Sequence, residues 1–260
     1  MFALKLFLVP SLIGIITLAG RRWGPAIAGW LSGFPVVAGP ILLLIALEQG
    51  PSFAAVSAGG ALTAVLANVF FCLAYSWAAT RFPWWASLAA GLLGYCAAAF
   101  LLTLVALPDL AMFGLTATAL WAASHAFPTV TVRRAGPPSP AELPIRMATS
   151  AVLVMVITIS ASQLGPRLSG LFSALPLMGS VLAAFSQPVY GAGAAIHLLR
   201  GMVTGFYALA TFCFTLTFAL AAWGVARGFL FALGCALAVQ LGSLWLRSSI
   251  LAPNGLARPK

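Results

Sequence analysis

The chain has 260 residues, of which 62% are hydrophobic and only 6% charged. Soluble domains carry about 25% charged residues, so these proportions exclude a soluble fold and point to a polytopic membrane protein with no soluble domain left over. The net charge of +10 comes from thirteen Lys and Arg that mostly flank apolar runs. That is the distribution of topology determinants and headgroup anchors, and without a charge cluster it excludes nucleic acid as a partner.

A helix needs about 20 apolar residues to cross the hydrocarbon of a bilayer. Nine runs meet that need, at roughly 2–20, 24–47, 52–79, 83–106, 109–127, 145–163, 166–188, 194–223 and 227–248. The first begins like a signal peptide, but Arg21-Arg22 directly after it form a stop-transfer flank, so it is expected to be a retained span. Breaks between runs carry Pro, Gly or charge, as at Gln49-Gly50-Pro51, Arg81-Phe82-Pro83 and Pro108-Asp109. Residues 129–143 form the one substantial polar loop, and their Pro-rich composition suits an extended linker. Cys72, Cys96, Cys213 and Cys235 all sit inside apolar runs with no metal-ligand spacing, as small packing residues do.

The sequence repeats itself. Segment 22–72 returns as 163–213, shifted by 141 residues without a gap. Gly24-Pro25, Gly29, Ser32, Pro35, Gly50, Gly60, Thr63 and Phe71-Cys72 fall on Gly165-Pro166, Gly170, Ser173, Pro176, Gly191, Gly201, Thr204 and Phe212-Cys213. The first four spans match spans six to nine, and the fifth, around Trp121 and His125, has no counterpart. An odd offset of five spans turns the second copy over, so an inverted repeat of four plus one plus four is expected, as in many secondary transporters. The layout is then a first repeat at 1–107, a linker span at 108–128, a cytoplasmic loop at 129–143, a second repeat at 144–248 and a cytoplasmic tail at 249–260.

With the N-terminus outside, ten basic residues, among them Arg21, Arg22, Arg81, Arg133, Arg134 and Arg200, fall on the cytoplasmic side. Lys5, Arg167 and Arg227 fall outside. Arg81 aligns with Ala222 and Arg200 with Gly59, as though charge were removed wherever a copy faces out.

Residues 1–107 resemble the GlpM family of small bacterial inner-membrane proteins. The likeness lies in Ile27-Ala28-Gly29, Phe34-Pro35, Leu47-Glu48-Gln49-Gly50 and an aromatic third span ending near Tyr75. The second half resembles the same pattern more weakly, keeping Gly170, Pro176 and Gly191 but carrying Val189 in place of Glu48. Two GlpM-like units fused through an extra span would account for both. The resemblance implies a bacterial inner-membrane location and a loose link to glycerol phosphate metabolism or envelope polysaccharide production, and it carries no reaction.

The second and seventh spans hold Gly29, Ser32, Pro35 and Gly39, and Gly170, Ser173, Pro176 and Gly179, at mid-span. Proline removes a donor and frees a carbonyl. In lipid a freed carbonyl survives only against protein or a wet cavity, so a broken midplane helix can offer a ligand site. The alternative is a kink with small-residue packing. Thr63 and Thr204 are either cavity-lining or bonded to their own helix. Asn68, unmatched in the repeat, is either a ligand group or glue between helices. Glu48 is an interfacial cap or a lone proton acceptor, and His197 and Arg200 either attract an anion or anchor the helix end.

No metal, nucleophile or phosphate motif appears, and no buried carboxylate pair, so neither an enzyme nor an ATP-driven pump is expected, nor any metal or cofactor. The expectation is an all-α transporter or facilitator of a small polar or anionic solute, alternating around spans two and seven. A scaffold or accessory subunit of an envelope biosynthesis complex, with the repeat serving only packing, and a lipid-linked-phosphate flippase are the alternatives. Besides the lipid bilayer and a small solute, a second copy of the chain or an envelope complex is the partner to look for.

Overall fold

The computed structural model describes residues 2–105, 107–130, 144–145, 147–149, 152 and 176–250. It is all-helical, with no strand among the described residues. The helices are α1 (Phe2–Trp23), α2 (Pro25–Ser32), α3 (Ala38–Gln49), α4 (Pro51–Ala79), α5 (Trp84–Thr103), α6 (Asp109–Ala126), α7 (Leu177–Tyr190) and α8 (Ala192–Ile250). Three of them, α4, α5 and α8, are long and apolar enough to cross a membrane, which suggests a membrane-embedded protein. The expected span at 145–163 lies almost wholly outside the described residues, as does most of the 129–143 loop.

Helix α8 is a hairpin. Its 59 residues would run to about 90 Å if straight. Gly224 instead takes φ 73° and ψ −177°, and a Cβ on Gly228 would lie 3.1 Å from the backbone of Ala219. Phe229 and Phe231 pack back on Phe212 and Trp223, with ring centroids 6.1 and 4.9 Å apart. We divide α8 into a first arm, 192–223, and a second arm, 225–250.

The helix boundaries repeat with the sequence. Shifted by 141 residues, α4 falls on the first arm of α8 and α5 on the second arm. Gly50 ends α3 at φ 89°, ψ 165°, and its match Gly191 ends α7 at φ 82°, ψ 168°. These angles belong almost exclusively to glycine, so both corners are set by the same local requirement. Gly-Pro at Gly24-Pro25 and Gly50-Pro51 starts the next helix at once, because proline at the first helical position gives up a donor that no turn would have used.

Helix α6 lies along both α4 and the first arm. A Cβ on Gly59 would meet Asp109 Oδ1 at 3.0 Å and Thr217 at 3.9 Å, at the start of α6. At its end, Trp77 Nε1 donates to the Ala126 carbonyl at 2.9 Å and Arg200 Nη2 to the Ser124 carbonyl at 3.2 Å. Residue 59 therefore sits by 217 and residue 77 near 200, so α4 and its repeat-mate run antiparallel. The same contacts gather Arg81 and Arg200 at one end of the bundle, joined by Arg21 and Arg22 through the packing of Ala26 on Gly201.

Candidate functional site

The break expected at Pro35 is present: residues 33–37 separate α2 from α3. Pro35 cannot donate to the Leu31 carbonyl, which instead accepts from Phe34 N at 3.2 Å, and the chain turns tightly through Val36 N to Phe34 O at 2.7 Å. Pro40 withholds the next donor, from the Val36 carbonyl. The helix resumes with Gly39 N to Pro35 O at 2.9 Å. In the second half, Pro176 stands before the first turn of α7, and Ser180 N reaches its carbonyl at 2.8 Å. Gly170 and Ser173 lie outside the described residues.

The two resumed helices face each other's half. A Cβ on Gly39 would touch Phe212 Cζ at 3.6 Å, and one on Gly179 would touch Phe71 Cε1 at 3.1 Å and Met202 Sδ at 3.3 Å. Phe71 and Phe212 are repeat partners, and both are fully buried. Each resumed helix thus seats a glycine beside the matched aromatic ring of the other half, Gly39 by Phe212 and Gly179 by Phe71.

Gly29 does something else. A side chain there would overlap the Leu198 carbonyl, one on Gly201 the Ala26 carbonyl and one on Gly205 the Trp30 carbonyl, while a Cβ added to Gly33 would lie 2.6 Å from the Gly205 backbone. Two Gly-x3-Gly stripes, 29/33 and 201/205, let α2 and the first arm of α8 cross in backbone contact, running in the same direction. For Gly29 the packing alternative describes what is seen. Ser32 is buried, with its hydroxyl donating to the Gly29 carbonyl at 2.7 Å. A leucine there would disturb the fold as well as any site.

The remaining candidates scatter. Thr63 and Thr204 each donate to the carbonyl one turn back, at 3.2 Å in both cases, to Gly59 and Arg200. Asn68 spends its Nδ2 on the Ala64 carbonyl of its own helix at 3.0 Å and leaves Oδ1 buried without a partner. It is no glue between helices; it is a sequestered acceptor. Glu48 is exposed at the end of α3, and His197 is half-buried on α8. Arg200 donates to the Ser124 carbonyl in the last turn of α6, where a cation complements the helix dipole.

Two polar networks escaped the sequence reading. Tyr75 Oη donates to Gln187 Oε1 at 2.8 Å, and Gln187 Nε2 donates to the Phe82 carbonyl at 2.9 Å. Elsewhere, Gln240 Nε2 donates to the Trp30 carbonyl at 2.9 Å and Trp30 Nε1 to Ser243 Oγ at 2.9 Å, leaving Gln240 Oε1 buried and unpartnered. Their signal in the sequence is an amide inside an apolar run, as at Asn68.

Comparison of the chain with protein-family models, with curated proteins and with solved structures returns no match.

Proposed function

We propose that the chain is a secondary transporter or facilitator of a small polar or anionic solute in a bacterial inner membrane, built as a nine-span inverted repeat with its N-terminus outside. The observation that carries this reading is the crosswise seating of the two resumed helices, Gly39 on Phe212 and Gly179 on Phe71. On this reading the two seats border one central site, made from equivalent parts of two inverted halves, which is reached from either side by rocking one half on the other. The antiparallel course of α4 and its repeat-mate, the matching corners at Gly50 and Gly191, and the gathering of Arg21, Arg22, Arg81 and Arg200 at one end support it. That end is then cytoplasmic. Among the described residues no buried acid would neutralise a cation, which favours a neutral or anionic solute. The likeness to GlpM agrees with the location and leaves the substrate open.

The second reading is a membrane scaffold, an accessory subunit of an envelope complex. The backbone crossing at Gly29, Gly33, Gly201 and Gly205 and the closed hydroxyl of Ser32 favour it. A cysteine-accessibility scan over 29–40 and 170–181, with an impermeant thiol reagent on either side of the membrane and the native cysteines replaced, decides between them. Labelling of mid-span positions from both sides is the expected outcome for a transporter. Protection of every mid-span position from both sides leaves only the scaffold.

A further inference from the structure

The Tyr75–Gln187 network occupies one end of the molecule and has no equivalent at the other. Tyr75 is fully buried, and its hydroxyl reaches from α4 to Gln187 on α7. Gln187 passes the connection on to the carbonyl of Phe82, in the corner between α4 and α5. Ser87 on α5 lies 3.5 Å from the same amide and donates to the Pro83 carbonyl at 3.0 Å. Three helices are thereby joined through one amide, next to Arg81. The positions 141 residues away are Leu216 for Tyr75, Trp223 for Phe82, Gly228 for Ser87 and Ala46 for Gln187. Leu216 and Ala46 are buried apolar groups that can form no such link.

Hydrogen bonds and apolar packing hold an interface differently. Packing tolerates sliding and is partly regained against lipid, since lipid tails are as apolar as the side chains. A buried amide bonded at both ends must exchange both partners for water before the helices part. The Gln187 bonds run between α7, whose start carries Gly179 into the central site, and the α4–α5 hairpin, whose Phe71 meets that glycine. Those are the two bodies that would have to separate for the centre to open at this end.

We propose that Tyr75, Gln187 and the Phe82 carbonyl form a latch that holds the arginine-bearing side shut, so that the resting protein opens toward the opposite side. The latch rests on the alternating-access reading given above, and it assigns that cycle an asymmetry which the repeat alone does not contain. Solute binding at the centre would have to release Gln187 for delivery to the cytoplasm.

The test places a single cysteine at Ser180, buried on α7 beside the centre, in a full-length chain with Cys72, Cys96, Cys213 and Cys235 replaced by alanine. An impermeant maleimide is applied to right-side-out and to inside-out vesicles, with and without Gln187→Leu or the milder Tyr75→Phe. Thermal unfolding of each variant identifies any that fails to fold, and Tyr75→Phe removes a single oxygen. The latch predicts labelling from the arginine-bearing side about tenfold faster in both variants, the size of one lost buried hydrogen bond, with slower labelling from the other side. It also predicts that the double variant adds little to either single one. Labelling in the parent that neither variant changes overturns the latch and leaves alternating access standing. Labelling from neither side, in the parent and in both variants, overturns alternating access and the latch with it.

Discussion

In α4, Phe71 and Cys72 are fully buried, and the phenyl ring faces Gly179; in the first arm of α8, Phe212 and Cys213 are as deeply buried, and the ring faces Gly39. Thr63 and Thr204 make the same back-bond at the same distance. Away from these middles the two helices part company. Where α4 has Tyr75 and Trp77, the arm has Leu216 and Phe218, and where the arm has Arg200, α4 has Gly59. The middles make the same kinds of contact twice. The ends carry different polar groups and make different contacts, Tyr75 with Gln187 and Arg200 with the Ser124 carbonyl. The repeat is most exact where the two helices pack alike.

The largest expected effect breaks this comparison at its tightest contact. Gly29→Val and Gly201→Val each force a side chain into a facing backbone, and each should cost on the order of 3 kcal/mol or more, read as loss of monodisperse protein or of thermal stability. Next come the matched corners. Gly50→Ala and Gly191→Ala ask alanine to adopt a positive φ, and each should cost roughly 1–3 kcal/mol, with equal shifts in unfolding temperature if the two corners are equivalent. Unequal shifts would mean that surrounding packing, not local geometry, sets one of them. Smaller again is Asn68→Leu, which installs the residue found at the matched position 209. It removes a buried acceptor that has no partner, so stability should stay within about 1 kcal/mol of the parent or rise. A loss of solute flux without loss of stability would then assign Oδ1 to the ligand. The smallest effect is expected at Gly60, the match of Gly201, which is exposed with nothing among the described residues within 4 Å of its missing Cβ. Gly60→Val should change stability by less than about 0.5 kcal/mol. A cost equal to that of Gly201→Val would show that Gly60, too, meets a close neighbour.

Much of this organisation was readable from the chain itself. The break at Pro35, the corners at Gly50 and Gly191 and the start of α7 behind Pro176 follow from what proline and glycine do locally. The 141-residue shift predicts where the helices of the second half begin. Pairing between distant helices was not readable. Gly29 in a Gly-rich span looks the same whether it lines a cavity or touches another backbone, and only the position of Gly201 decides. The sequence leaves Arg200 as an anion attractor or a helix-end anchor, and its partner is a carbonyl of α6, a group that every residue possesses and no sequence marks. Gln187 and Gln240 were visible as polar residues in apolar surroundings, but their partners, Phe82 and Trp30, offer main-chain oxygens that a reading of side chains passes over.

The parallel crossing of α2 with the first arm of α8 has a consequence for biosynthesis. About 170 residues separate the two glycine stripes, so at roughly 5–20 residues per second α2 waits on the order of ten seconds or more for its partner to be made. Throughout that interval the glycine face of α2 lacks the surface it packs against in the finished fold. The first half cannot complete this contact as it emerges; the contact arrives with the second half, and the ribosome sets the schedule.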